Sequence, residues 1–403
     1  MDSAMGYKII ITKYKNSILS CMTDGKRILQ LNLDPMAGQH IFGNVYVGKV
    51  KNIVKNIKAA FVEIADGTMC YLSLDKYQPP VFVKHGNSDD IRVGDELLVQ
   101  VSREGLKTKA PTVTTGINLT GRYLVLTGQD PTAAVSKKIE DTGKRKKLKK
   151  LAESICTDRY GVILRTNAAE VDEDLLLKEA ETLSAVYREI LHKGSYSACF
   201  SCIYETMPAF LGTLRDSYEG LVEEFITDDK ELYQRIQNYL SQYQKEDMDK
   251  LVFHDNEVIS LDAKYNIKAG VDACVKEKIW LKSGGSIIIQ PTEALTVIDV
   301  NTEKAIKGKC SIQELFYKVN MEAAEEIAYQ LRLRNITGII MIDFIDMDDM
   351  NHRKNLMQAL DEFVKPDPVK TTVVDMTALN LVEMTRKKTR KPVLEQLKEI
   401  ENM

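Results

Sequence analysis

Hydrophobic positions alternate over short stretches at the start of this chain. Tyr7-Lys-Ile-Ile-Ile-Thr12, Ser17-Ile-Leu-Ser-Cys-Met22 and Arg27-Ile-Leu-Gln-Leu-Asn-Leu33 are strand-length runs broken by turn residues such as Asp24-Gly25, a hairpin signal. They are too few to bury a core alone, so they predict pairing with a sheet built elsewhere in the chain. From Gly43 to Thr115 the pattern stays all-β, with strands over 44–54, 59–66, 70–74 and 93–101. It changes after Asn118. Strands are predicted at Gly121–Leu126 and Tyr160–Thr166, and a helix over 173–191. Ser197–Tyr204 reads as a buried strand, and 209–266 reads as helical, with candidate helices at 216–225 and 228–243. From Val275 onward the order is βαβαβ. A helix from Ile312 opens on a Ser311–Glu314 capping box and carries an apolar face of Leu315, Phe316, Val319, Ala323, Ile327 and Leu331.

Two of these late strands end in carboxylates: Leu295-Thr-Val-Ile-Asp299-Val-Asn301 and Ile339-Ile-Met-Ile-Asp343-Phe-Ile-Asp346. A helix between them allows both to be neighbours in one sheet, with Asp299 and Asp343 emerging side by side. Paired carboxylates suit a hard cation such as Mg²⁺, although acids at strand ends also cap turns and helices. Asn301 lies two residues beyond Asp299, hence on the same face, and can donate a hydrogen bond without adding charge. Asp346, three residues past Asp343, is read as a support or helix-capping residue.

Composition narrows the options. A length of 403 residues suggests several domains, and 44% hydrophobic with 28% charged residues is ample for packed cores. A net charge of −3 requires any nucleic-acid contact to come from local basic patches. The N-terminus has no signal-like apolar core and no run approaches a membrane span, while seven scattered cysteines fit a reducing compartment. A cytoplasmic protein is therefore expected. Cys199-Phe-Ser-Cys202 has no second pair, so zinc is not expected there. No histidine lies in the motifs, which leaves a histidine acid/base mechanism without support.

The words around the carboxylates carry a resemblance. Trp280-Leu-Lys-Ser283-Gly284-Gly285, Thr292-Glu293-Ala-Leu-Thr296, Ile298-Asp299-Val-Asn301, Ile342-Asp343-Phe-Ile-Asp346 and Leu381-Val-Glu383-Met-Thr385-Arg386 resemble the catalytic domain of the ribonuclease E/G family, in the family's order. The resemblance implies an α+β multidomain fold. A ribonuclease-H-like subdomain (1–38 and 209–274) would hold an inserted OB-fold RNA-binding domain (39–117) and a 5′-sensor region (118–208). A DNase-I-like α/β catalytic domain (275–403) would follow. It implies a Mg²⁺-dependent endoribonuclease, with Mn²⁺ suiting the same ligands. Its substrate would be single-stranded, A/U-rich RNA, preferably 5′-monophosphorylated.

By the same resemblance Asp299 and Asp343 bind the metal and Asn301 contacts the scissile phosphate. Arg165 and Thr166, supported by Gly121 and Val125, grip a 5′-monophosphate, a role an arginine fork suits. Phe61, Tyr71 and Lys109 contact RNA; Phe61 and Tyr71 also read as ordinary cross-strand residues. Lys49, Lys51, Lys55 and Lys58, and the run Lys144–Lys150, read either as phosphate contacts or as solvated faces. Thr377-Ala378-Leu379-Asn380 departs from the family's usual basic residue and glycine, and Arg386–Lys391 is a basic tail that either compensates or is a solvated helix end. The family's zinc-link lies outside this sequence, which leaves oligomerisation open. A second reading is an RNA-binding factor on ribosomal RNA with weak or no nuclease activity.

Overall fold

A computed structural model describes residues 6–36, 41–75, 78–84, 90–105, 110–217, 221–255, 258–305 and 311–401. The chain forms two compact units, Met1–Met36 with Gly220–Met403, and Ala37–Glu219. The unpartnered early strands find their sheet across the sequence. Tyr7–Tyr14 pairs antiparallel with Ser17–Thr23, which pairs with Ile28–Pro35. On its other edge Tyr7–Tyr14 runs parallel to Val222–Thr227, which runs parallel to Leu251–Phe253. The segment 216–225, read as a helix from sequence, is thus partly a strand. Val222, Phe225 and Ile226 of strand Val222–Thr227 are buried in that sheet, and the pairing overrides the helix propensity of Glu223 and Glu224. Lys230–Tyr243 is helical as expected, capped by Asp229.

The same unit contains a six-stranded sheet, in order Lys278–Trp280, Ser286–Pro291, Leu295–Asn301, Gly338–Asp343, Leu381–Arg386 and Thr371–Met376. One face is apolar: Ile298, Val300, Ile340, Ile342, Val382 and Met384 pack with helices Ile312–Leu333 and Met350–Val364. The predicted capping box at Ser311–Glu314 is present. The alternate positions point the other way, where Val297 and Ile339 are exposed.

In the second unit five strands close a barrel. Val45–Val54 pairs with Ala59–Glu63 and that with Met69–Ser73; Thr112–Thr114 and Glu96–Arg103 return to Val45–Val54. This OB-like closure removes free sheet edges. A four-stranded sheet follows, in order Asn118–Thr120, Leu124–Gly128, Tyr160–Leu164 and Ala133–Val135, packed with helices Thr142–Ile155 and Glu173–Tyr196. The buried strand expected over 197–204 reduces to Cys202–Tyr204, and Cys202 is exposed. Among the described residues no helix is long and apolar enough to cross a membrane.

Candidate active site

The strands Leu295–Asn301 and Gly338–Asp343 are parallel and in register, and their pairing ends at Asp299 opposite Asp343. Both carboxylates therefore stand on the face opposite helices Ile312–Leu333 and Met350–Val364, at the C-terminal ends of a parallel strand pair, where open α/β sheets bind ligands. Burial pushes the Asp343 carboxyl above its usual range, and the charges of Asp299 and Asp346 push it further. Asn301 Nδ2 donates to Asp299 Oδ2 at 2.7 Å, fixing one carboxylate and leaving a second N–H for another acceptor. Among the described residues no three or more His, Cys, Asp or Glu side chains form a metal-binding group. A hard cation such as Mg²⁺ does not need one: it takes one or two carboxylates and keeps several waters, and at this pair it would offset the repulsion that adds to burial in raising Asp343. The donor set fits a single hard cation.

The surroundings explain the flanking motifs. Glu322 accepts the backbone N–H of Lys282 at 2.5 Å and of Ser283 at 3.1 Å, anchoring the Ser283-Gly284-Gly285 turn. A Cβ on Gly285 would come within 2.9 Å of the Asn301 carbonyl oxygen, and Gly284, at φ +90°, lies against Lys304. The glycines thus let this turn close on the segment that carries Asn301. Asn320, fully buried, donates to the Ile345 carbonyl at 2.7 Å and accepts its N–H at 3.0 Å, pinning the chain just after Asp343.

Asp346 is not the helix cap; Asp349 caps Met350–Val364. Instead Asp346 accepts from Asn380 Nδ2 at 2.9 Å, while Asn380 Oδ1 accepts from Arg353 at 3.0 Å. Asn380 has φ +63°, a left-handed conformation open to glycine and next best to asparagine. The first residue of the basic tail is also corrected. Arg386 ends a strand, 3% exposed, and its guanidinium is committed to Asp367 at 2.6 Å and Asn335 at 2.8 Å.

In the second unit Arg165 follows strand Tyr160–Leu164, and its Nη1 donates to the Gly121 carbonyl at 2.7 Å and to Asp216 at 2.8 Å. Thr166 Oγ1 shares a 3.0 Å hydrogen bond with Ser136 Oγ. Val125 is paired with Ile163 on the adjoining strand. The strand expected over 121–126 starts only at Leu124, because residues 121–123 form a turn around a carboxylate. Glu179 accepts the N–H groups of Arg122, Tyr123 and Leu124 at 2.6, 2.8 and 2.9 Å. Burial pushes Glu179 upward and those backbone bonds oppose it. A Cβ on Gly121 would lie 2.5 Å from that carboxylate. For Asp216, burial is outweighed by Arg215 and Arg165, which hold it below its usual range. So the fold brings Arg165 and Thr166 beside Gly121, with Val125 on the adjoining strand and with Glu179 and Asp216 as partners the sequence did not reveal.

On the barrel, Phe61 and Tyr71 are cross-strand partners meeting edge to face at 6.3 Å between centroids, both half-buried. Lys109 lies outside the described residues. Lys51 pairs with Glu63 and Lys58 with Asp75 at 2.6 and 2.8 Å. In the basic run, Lys144 and Lys147 pair with Glu170 and Glu173, as a solvated helix face does.

The family model for the ribonuclease E/G family matches residues 118–389. The chain is 32% identical to ribonuclease G of Escherichia coli (strain K12) over 92% of this chain and 77% of that protein. It is 32% identical to ribonuclease G of Haemophilus influenzae, over 95% of this chain and 80% of the relative. Ribonuclease E of a Nostoc species is 31% identical over 87% of this chain and 52% of its own length. Matches of this extent, together with the carboxylate pair and its motifs, establish that the chain belongs to the ribonuclease E/G family of endoribonucleases.

Proposed function

We propose that this endoribonuclease hydrolyses single-stranded RNA with Mg²⁺ held by Asp299 and Asp343, in RNA processing and decay. The observation that carries the reading is the in-register pairing of the two aspartates on the sheet face opposite the packed helices. Metal dependence is a general property of the family. When bound, Mg²⁺ polarises the scissile phosphoryl group and lowers the pKa of an attacking water. Asn301 steadies Asp299 with one amide proton and offers the other to a phosphate oxygen. The Ser283–Gly285 turn and Asn320 hold the two strand ends still, so the groups are oriented before substrate arrives.

In the other unit the Arg165–Thr166 corner reads a 5′-monophosphate. Arg165 has further N–H donors beyond those used on Gly121 and Asp216, and Thr166 offers its hydroxyl. Phe61, Tyr71 and Lys109 would contact bases and phosphates of A/U-rich RNA. The parallel strands added to the 7–35 meander support a ribonuclease-H-like subdomain carrying the barrel and sensor as insertions, and the six-stranded layer supports a DNase-I-like one. The test is cleavage of a 5′-monophosphorylated, A/U-rich RNA with and without Mg²⁺. Metal-dependent cutting that slows when the same RNA carries a 5′-hydroxyl is expected. Cutting indifferent to metal would remove the aspartate pair's role as an ion holder.

A further inference from the structure

The sequence contains a single tryptophan, Trp280, and it is 54% exposed. Burying an indole is strongly favourable, so leaving this one in water is uneconomical unless something covers it. Its position is specific. Trp280 is the register partner of Ser286, and Ser286 is the register partner of Asn301. Residues directly opposite one another across neighbouring strands project from the same sheet face. Trp280 therefore stands on the catalytic face, two strands and about 10 Å from Asn301, on the side away from Asp343. Two ammonium groups accompany the ring: Lys278 at 4.5 Å and Lys304 at 5.9 Å from its centroid. Lys278 is also tethered to Glu303 at 2.6 Å.

We infer that Trp280 is a stacking platform for the base of a nucleotide next to the scissile phosphate, with Lys278 and Lys304 receiving the flanking phosphates. An exposed aromatic bordered by cations beside a phosphodiester-cleaving site matches a single-stranded RNA in both its parts, the base face and the charged backbone. Stacking is sequence-tolerant, so this contact anchors the strand without selecting its letter. The inference rests on the proposed location of the active site at Asp299, Asn301 and Asp343.

Because no other tryptophan contributes, indole emission reports this residue alone. The experiment titrates the Asp299→Asn chain, in EDTA, with a short A/U-rich single-stranded RNA, following tryptophan emission and, separately, anisotropy of the labelled RNA. Emission should change and saturate together with anisotropy. Trp280→Ala should weaken binding roughly 5- to 100-fold, and Trp280→Phe should restore most of it. Substrates carrying one abasic position near the cut should be bound poorly by the Trp280 chain at one position only, and Trp280→Ala should be indifferent there. Unchanged emission at saturating RNA, or an equal abasic penalty in both chains, overturns the platform. In a parallel assay with Mg²⁺ in place of EDTA, rapid cutting by Asp299→Asn instead overturns the site's location. The two failures are thus read on different signals.

Discussion

At the scale of single residues, the proposed chemistry rests on two carboxylates forced together and a few side chains that hold them. Asp343 is pushed upward by burial and by Asp299 and Asp346. A carboxyl raised in the folded state binds more protons there than in the unfolded chain. Between the unfolded and folded pKa values stability therefore falls as pH rises, and above both the full penalty persists. Without divalent cation, Asp343→Asn should thus raise the thermal midpoint near neutral pH by about 1–2 °C and do nothing below the unfolded pKa. Mg²⁺ should stabilise the parent chain and not this variant; scanning calorimetry at two pH values with and without Mg²⁺ checks both. Arg165→Ala should lower the ratio of cleavage of 5′-monophosphate over 5′-hydroxyl RNA by about tenfold, the loss of a charge-assisted contact. An unchanged ratio would show that Arg165 does not read the end. The aspartates were legible because each closes a strand-length apolar run. Glu179, Asn320 and Asp216 were not, because the partners that tie them to these sites, Arg122 to Leu124, Ile345 and Arg165, lie at least 25 residues away and leave no local spacing to detect.

At the scale of elements, the family words become packing constraints. Ser283-Gly284-Gly285 is a turn that must lie against the Asn301 carbonyl and Lys304, and a side chain there would displace the segment bearing the site. Val222–Thr227 illustrates the reverse, since the sequence suggested a helix over 216–225 while parallel pairing with Tyr7–Tyr14 made 222–227 a strand. Arg386 closes a strand and forms a buried ion pair with Asp367. Arg386→Met should cost about 3–5 kcal/mol by stranding a buried carboxylate, whereas Arg386→Met with Asp367→Leu should recover most of it. Urea denaturation of the three chains reads this directly. A small loss in the single variant would return Arg386 to the basic tail.

At the scale of the whole molecule, the sequence leaves the first strands without a partner, and only sheet pairing with 222–253 resolves it. That long-range closure was visible as a deficit in the first 35 residues, while the register that completes it was not. The paired aspartates and Trp280 belong to one compact unit, and the barrel and the Arg165 corner to the other. Cutting and end-sensing should therefore separate by mutation. Variants of the paired aspartates should change the rate at saturating RNA, and variants of the Arg165 corner the preference among RNAs. The most direct measurement is the single-turnover rate on one RNA, across a Mg²⁺ titration, for the parent chain, Asp299→Asn and Asp343→Asn. The predicted result is a loss on the order of 10³-fold or more in both variants, with RNA affinity nearly unchanged. A variant that still cuts within tenfold of the parent would contradict the assignment of the metal to this pair.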